Sequence, residues 1–394
     1  MLFLIGAISF AAWTYLLLFH GGFWRARERL PQDPEDPTHW PRVVAVLPAR
    51  DEAETIKEVL ERLVAQDYPG SLSILLVDDG SSDGTAEIAA RVARAAPADR
   101  TVTVLAGGPL ADGWTGKLWA LAQGVERAKE LDPYVEFFLF TDADIGHGPQ
   151  QLRRLVAQAE AHKADLVSLM ARLKCASFWE RMLIPAFVYF FQKLYPFSWA
   201  NDPKRKTAAA AGGCVLIRAS ALARIGGIEA IRGRLIDDCS LARAVKESGG
   251  RLWLGLADDT TSLRGYTTLG PIWGMVARSA YTQLMHSPLL LIGTVIGMLL
   301  LYLAPPLLVF TWPLHDDPEA GLVGVLAWLL MAASYAPMLR HYGRSPIEGL
   351  LLPKAGLLYT LMTIDSARLY YRRGGNRWKG RDYGRAGVAD PPAP

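Results

Sequence analysis

Two aspartates one residue apart, Asp142 and Asp144, close the apolar run Phe137-Phe138-Leu139-Phe140. Side chains two apart in an extended segment point the same way, so the pair can share one hard divalent cation, Mg2+ or Mn2+. Completed by phosphate oxygens, such an ion neutralises the charge that grows on a departing phosphorylated group. An isolated Asp-x-Asp is common in loops, and this one gains meaning from what closes the other apolar runs. Pro48-Ala49-Arg50-Asp51-Glu52 closes one, and Val77-Asp78-Asp79-Gly80-Ser81-Ser82-Asp83-Gly84-Thr85 continues another. Adjacent acids at a strand end repel each other and gain little for folding, so Asp79 points to a polar ligand such as a ribose or a base edge. Asp83 and Gly84 read as a turn with a helix cap.

Gly113-Trp114-Thr115-Gly116-Lys117 reads as a glycine-flanked turn opening a helix. Its amides could meet phosphate or a sugar, with Lys117 adding charge, although a plain helix start with an exposed lysine fits nearly as well. His147, just past the acids, is expected to be structural or solvated rather than a helper to the ion. Ile236-Asp237-Asp238-Cys239 precedes a helix and follows Gly212-Gly213-Cys214 by some two dozen residues. A carboxylate partly buried in a closed cleft can take the proton of an attacking hydroxyl, which makes Asp238 the candidate general base. The alternative is an N-cap with a first-turn acid that favours the helix dipole.

Short apolar runs must position these residues. Strands are expected at Val43 to Leu47, Ile74 to Val77, Val102 to Leu105, Phe137 to Phe140 and Leu166 to Leu169. Between the first two, Ile56, Val59, Leu60, Leu63 and Val64 recur at helical spacing. Strands alternating with amphipathic helices form a mostly parallel sheet, and an open α/β sheet binds ligands at the carboxyl ends of its strands. The fold class is therefore α/β, a nucleotide-binding domain in outline.

The 394 residues are 51% hydrophobic with a net charge of +3, too mild a charge to imply a nucleic-acid partner. Three cysteines, Cys175, Cys214 and Cys239, form no metal-ligand pattern and suit a reducing compartment. Leu2 to Phe19 carries no charge and is followed by Arg25, Arg27 and Arg29, which reads as an uncleaved signal anchor with the residues after it in the cytoplasm. Leu289 to Phe310 and Gly321 to Leu339 are long and apolar enough to span a bilayer, with Asp316, Asp317 and Glu319 between them and Arg340, His341 and Arg344 after them. Gly349 to Thr363 is broken by Pro353 and Lys354 and precedes a basic tail, so a re-entrant or interfacial arrangement is expected, with a fourth span as the rival. Phe178 to Trp199 is rich in aromatics and interrupted by Pro185, which reads either as an interfacial helix or as a buried domain helix. The basic run Lys204, Arg205 and Lys206 beside it suits anionic headgroups.

The expected organisation is an anchor (1–20), a linker (21–41), a cytoplasmic catalytic domain (42–287) with an interfacial helix near 177–199, a C-terminal membrane region (288–371) of two or three spans, and a basic tail (372–394). A multi-pass protein of the plasma (inner) membrane is implied.

The order PARDE, VDDGSSDGT, GWTGK, TDAD, GGC and DD resembles the family 2 glycosyltransferases, a large inverting family with a GT-A fold. The resemblance covers about Arg42 to Arg278. It implies that Asp51 and Asp79, with Ala49 and Glu52 beside them, contact the nucleotide of a UDP- or GDP-sugar. It further implies that Asp142 and Asp144 hold the diphosphate through Mg2+ or Mn2+, that Lys117 aids donor binding, and that Asp238 is the catalytic base. The QxxRW signature of the family is reduced to Met275-Val276-Ala277-Arg278-Ser279, which keeps the arginine for phosphate contact and lacks the tryptophan. Within the family, the layout is most similar to the hopanoid-biosynthesis-associated members, and Arg377-Trp378-Lys379-Gly380-Arg381 is similar to tails of ceramide glucosyltransferase-like proteins. A lipid acceptor of isoprenoid, hopanoid or related type follows from that likeness.

Three activities remain open on these residues. One is transfer of a single sugar to a membrane lipid. The second is a processive polysaccharide synthase, which usually has more spans and an intact QxxRW. The third is a nucleotidyltransferase, expected to carry a glycine-rich basic loop where this chain has Pro-Ala-Arg-Asp-Glu.

Overall fold

The computed structural model describes residues 1–373, 375–378 and 381–384, with side chains described through Arg372. The chain begins with helix α1 (Leu2–Phe19), which carries no charged residue. Strand β1 (Val43–Ala49) leads to α2 (Ile56–Val64), whose Ile56, Val59, Leu60 and Leu63 are fully buried, as their helical spacing requires. There follow β2 (Leu72–Asp78), α3 (Thr85–Ala95), β3 (Thr101–Ala106) and α4 (Gly116–Leu131). Helix α4 lies close over the sheet because Gly124 faces Val46 and Val77, where a Cβ would come within 2.4 Å of Val46. Strands β4 (Phe137–Thr141) and β5 (Ile145–Gly146) flank the Asp142–Asp144 loop and precede α5 (Gln151–His162).

Next come β6 (Leu166–Arg172), α6 (Phe178–Leu194), the short α7 (Phe197–Asn201), β7 (Cys214–Arg218) and α8 (Ala219–Arg224). The domain closes with α9 (Asp237–Glu247), β8 (Leu252–Ser262) and α10 (Leu269–Gln283). The eight strands form one sheet in the order β3-β2-β1-β4-β7-β6-β8-β5. Strand β1 pairs in parallel with β2 and β4, while β7 runs antiparallel between β4 and β6. The sheet is therefore mixed, with the acidic strand ends of β1, β2 and β4 gathered along one edge.

The C-terminal region holds α11 (Pro288–Met298), α12 (Ala304–Phe310), α13 (Trp312–His315), α14 (Pro318–His341) and α15 (Leu352–Arg373). Between α11 and α12 the backbone winds as a π-helix over Leu299–Leu303. Pro305 lacks the N–H that would reach the Leu301 carbonyl, and Trp13 of α1 donates its indole N–H there instead, at 2.9 Å. Four stretches are long and apolar enough to cross a membrane: Leu2–Phe19, Pro288–Phe310, Pro318–His341 and Pro346–Arg372.

The last of these differs from the broken segment expected from Pro353. A 3-10 turn (Pro346–Leu351) runs into α15, and Pro353 falls in the first turn of that helix, where a missing N–H costs nothing. The turn packs along α14, with Gly349 against Ala332 and the Leu350 carbonyl accepting from Trp328. Helix α15 then passes Tyr302 at Gly356 and meets α10, where Trp273 donates to Asp365 and Tyr281 accepts or donates at Tyr371. Its start thus lies partway down the helical bundle and its end lies against the sheet domain. Strands β9 (Gly375–Trp378) and β10 (Arg381–Gly384) form a hairpin. Of the tail run Arg377–Arg381, Lys379 and Gly380 lie outside the described residues.

Helix α6 joins the two regions. Its N-terminus is a capping box in which Ser177 receives the Glu180 N–H and Glu180 receives the Ser177 N–H. One face meets the C-terminal helices, since the Tyr359 hydroxyl donates to the Leu183 carbonyl and Tyr189 bonds Ser334 at 2.6 Å. Its middle is buried at Leu183, Ile184 and Tyr189, while Phe178 and Leu194 at its ends are exposed.

Candidate active site

A cavity of about 400 Å³ opens at the carboxyl ends of β1, β2 and β4. It is lined by Ala49, Glu52, Asp79, Lys117, Asp142, Asp144, Asp238 and Arg278, so eight of the residues singled out in sequence converge on one space. Their placement follows from strand register. Ala49 and Asp78 are register partners in the parallel β1/β2 pair, and the Asp79 N–H donates to the Ala49 carbonyl at 2.8 Å. Thr55 at the head of α2 donates to the Ala143 carbonyl at 2.9 Å, pinning the loop between the two metal-type aspartates.

Asp51 is the exception. It does not line the cavity; it is exposed with φ +50°, and its carboxylate accepts from the Ser82 N–H at 2.8 Å. Arg50 lies 3.8 Å from Asp79, and Glu52 pairs with Arg264.

Lys117 is more than the exposed lysine of a plain helix start. Thr115 caps α4 by accepting the Leu118 N–H, and this sets Lys117 between Asp142 at 2.9 Å and Asp237 at 3.0 Å. Burial alone would lower its pKa, but the carboxylates of Asp142 and Asp237 outweigh it and hold the ammonium above the ordinary lysine range. One ammonium therefore bridges the Asp142 loop and the start of α9.

Asp238 accepts the Gly212 N–H at 2.9 Å. A Cβ at Gly212 would lie 3.2 Å from the Lys117 amine and 3.4 Å from the Asp238 carboxylate, so glycine keeps this corner open. Burial first, and then the neighbouring Asp237, push the Asp238 carboxyl up to about 6, with Lys117 opposing them. A carboxylate in that range is suited to taking a proton near neutral pH. Asp144 is likewise raised to about 6 by burial and by Asp142, with Arg264 opposing. His147 is buried, bonded to the Thr141 hydroxyl at 2.8 Å and outside the cavity; burial and Arg62 lower it to about 4, so it is a neutral structural side chain.

The residues fit a divalent ion. Asp142 and Asp144 face the cavity with side chains 35% and 22% exposed, and among the described residues no cluster of three or more His, Cys, Asp or Glu side chains forms a closed cage. An ion there would complete its shell with diphosphate oxygens and water, the habit of Mg2+. The cavity carries six carboxylates, of Glu52, Asp79, Asp142, Asp144, Asp237 and Asp238, against five cations, of Arg50, Lys117, Arg234, Arg264 and Arg278. A diphosphate entering it meets no net positive charge unless a cation comes too.

Sequence reasoning missed Arg264, Arg234, Asp237 and Tyr266. Arg264 follows β8, an eleven-residue strand in the same sheet, and its place at a strand end was a usable signal. Asp237 was overshadowed by its neighbour. The far wall of the cavity is apolar, made by Met170 and Leu173 of the β6 end, Phe187 and Phe191 of α6, and Met275 of α10. Trp273 points away from it, to Asp365 of α15.

A mixed sheet in this order with acidic clusters at its strand ends defines a GT-A fold. Over 94% of this chain it superposes, with a TM-score of 0.54 and 20% identity, on 98% of the mannosyltransferase PcManGT from Pyrobaculum calidifontis. Residues 44–226 match the family model described as Glycosyl transferase family 2, so a family 2 glycosyltransferase domain occupies that part of the chain. Glycosyltransferase AglE of Haloferax volcanii is 31% identical over 128 residues, 32% of this chain and 38% of that protein. Undecaprenyl-phosphate 4-deoxy-4-formamido-L-arabinose transferase of Edwardsiella ictaluri is 34% identical over 120 residues, 30% of this chain and 34% of that protein. The matched segments thus span little more than a third of those relatives.

Proposed function

We propose that this protein transfers one sugar from a UDP- or GDP-sugar to a membrane lipid with inversion at the anomeric carbon. The observation that carries this reading is the composition of the cavity. A charged wall suited to a nucleoside diphosphate faces an apolar wall of Phe187, Phe191 and Met275, and the helices bearing that apolar wall pack against the bundle of apolar helices. A lipid whose chain lies along α6 and α10 would bring its hydroxyl or other nucleophilic oxygen to Asp238.

In this mechanism Asp79, with Ala49 and Arg50, holds the nucleoside, and Glu52 fixes the loop beside it. Asp142 and Asp144 would hold a divalent ion, which when bound would supply Lewis-acid stabilisation of the departing diphosphate. Lys117 and Arg278 add positive charge along the diphosphate. The Asp238 carboxylate takes the acceptor proton as its oxygen attacks the anomeric carbon, and the Gly212 N–H keeps that carboxylate aimed at the cavity. The names of the relatives agree with this reading, one being named for undecaprenyl phosphate and the fold neighbour being described in complex with GDP-Man and Mn2+. The narrower kinship, to hopanoid-associated or ceramide glucosyltransferase-like members acting on an isoprenoid or hopanoid-type lipid, belongs to the same proposal.

We place the catalytic domain on the cytoplasmic side of the inner membrane. Arg25, Arg27, Arg29, Arg340 and Arg344 then lie inside and Asp316 and Asp317 outside. Helix α15 starts within the bundle and ends beside the sheet domain, which supports a re-entrant region 346–373 followed by a cytoplasmic tail. Cysteines introduced at Glu35 and Arg372 should label from one side of sealed vesicles and a cysteine at Asp316 from the other; labelling of Arg372 together with Asp316 would make α15 a full span.

The activity is tested by incubating detergent-solubilised full-length protein with a panel of nucleotide sugars and total membrane lipid, followed by mass spectrometry. A lipid heavier by one sugar supports the proposal. A ladder of repeated additions points to polymer synthesis, and nucleotide transfer to a sugar phosphate overturns the reading.

A further inference from the structure

Arg264 occupies the neighbourhood in which a metal ion would sit. It pairs with the Glu52 carboxylate and lies 3.3 Å from Asp144, its side chain 40% exposed at the cavity wall. A guanidinium stays charged at all relevant pH and offers a planar fork of donors matched to two oxygens. Asp144, one half of the pair that suits a divalent ion, therefore already has a cationic partner.

The backbone on either side of Arg264 is fixed while its side chain is not enclosed. The Leu263 N–H donates to the Asp144 carbonyl at 2.8 Å, which ties the segment to the aspartate loop. Two residues on, Ser177 donates to the Tyr266 carbonyl at 2.8 Å, and the Tyr266 N–H donates to Glu180. Glu180 also receives the Ala176 N–H at 2.9 Å, so the α6 cap and the Arg264 segment share one carboxylate. The long side chain of Arg264, 40% exposed, is held only by its carboxylate partners among the described residues.

We propose that Arg264 is an exchangeable counter-ion of Asp144 and Glu52, displaced by a divalent cation only when a nucleoside diphosphate arrives with it, so that metal binding is conditional on donor binding. This rests on Asp142 and Asp144 being the ligands of the ion. A cation arriving alone must break the Arg264 pairs and faces both Arg264 and Lys117. A cation arriving with a diphosphate brings anionic oxygens to which the released guanidinium can turn, and such pairs are often bidentate. The result is positive coupling between the ion and the nucleotide, which is reciprocal. The empty enzyme then holds no polarising ion beside its base.

The test is the Mn2+ affinity of the full-length solubilised protein, read from the electron paramagnetic resonance signal of free Mn2+, with and without UDP or GDP. In the wild type, nucleotide should tighten Mn2+ binding by about tenfold or more. Arg264→Gln should tighten Mn2+ binding by roughly fivefold in the nucleotide-free protein and shrink the coupling by the same factor. Arg264→Lys, which keeps the charge and loses the fork, should fall between them, and it carries the test if the glutamine variant does not fold. Unchanged nucleotide-free affinity or unchanged coupling in both variants overturns the proposal while leaving the metal site standing. Wild-type Mn2+ binding by Asp144→Asn overturns the metal site and the proposal together.

Discussion

The two walls of the cavity are built by different means. At the ends of β1, β2 and β4 the wall is a set of charged groups, with Asp79 beside Arg50 and Asp142 held by Lys117 at 2.9 Å. Opposite stand Phe187, Phe191 and Met275, carried by helices whose other faces bond residues far along the chain. The Leu183 carbonyl of α6 is paired with a hydroxyl 176 positions away, and Tyr189 with one 145 positions away. On the first wall, backbone register delivers the side chains, so a few consecutive residues suffice to place them. On the second, placement depends on how the helices at the two ends of the chain close around α6. The polar wall belongs to the sheet and the apolar wall belongs to the bundle as well.

The most damaging change should fall where the walls meet. Asp238→Asn removes a base whose loss typically costs on the order of a thousandfold in kcat, while equilibrium binding of the nucleotide sugar should stay within about threefold. Normal turnover would remove Asp238 from the mechanism. The pH profile sharpens the same point. Because burial raises Asp238 to about 6, the free enzyme's kcat/KM should fall as pH drops through that value, since only the carboxylate can accept the proton. Stability runs the opposite way: a carboxyl raised in the folded state favours folding below its ordinary range near 4 and loses that contribution as pH rises through about 6. A kcat/KM flat from pH 5 to 8 would contradict the assignment.

The polar wall alone is tested by removing the ion. Chelation with EDTA should lower transfer by about a hundredfold or more, restored by Mg2+ or Mn2+, because the ion is asked for several kcal/mol of stabilisation of the departing diphosphate. Full activity in EDTA would leave Lys117, Arg264 and Arg278 to neutralise the diphosphate unaided.

This contrast also explains what the sequence could disclose. Strands and their acidic ends were visible because an apolar run followed by a polar turn is a local pattern, and Asp79, Asp142, Asp144 and Asp238 all line the cavity. Lys117 was visible as a residue but not in its pairings, because its two partners, Asp142 and Asp237, come from other elements. Arg264 was harder to find: no motif surrounds it, its place after β8 is its one local signal, and its meaning lies in Glu52, 212 positions earlier. Pro353 was read as a break in the apolar run, and the backbone changes there from a 3-10 turn to α15, whose first turn holds the proline. The aromatic segment of Phe187 and Phe191 left an interfacial and a buried helix open, and the two rings face the cavity from a helix buried on its other side.

The apolar wall is tested by truncation. Phe187→Ala should raise the acceptor KM by roughly tenfold, the scale of removing a substantial apolar contact from a binding pocket, with the donor KM changed by less than about twofold. Equal effects on both substrates would mean that α6 supports the whole cavity and does not specifically receive the acceptor.

The smallest expected effect tests whether lying at a strand end is enough to make a residue functional. Asp51 has the position that sequence assigns to donor binding, yet its carboxylate accepts from Ser82 at 2.8 Å and its backbone sits at φ +50°. Glycine takes that conformation more freely than aspartate, which itself tolerates it better than most residues, so Asp51→Gly eases the backbone slightly while losing a turn-capping bond. The two effects oppose each other, and the net change in unfolding free energy should be within about 1 kcal/mol. Because the side chain lies outside the cavity, the donor KM should move by less than about threefold, the scale of a lost contact at an exposed site. A tenfold rise in donor KM with unchanged stability would mean that the Ser81-Ser82 turn opens on binding and releases Asp51 to the nucleotide. The polar wall would then owe part of its composition to movement as well as to strand register.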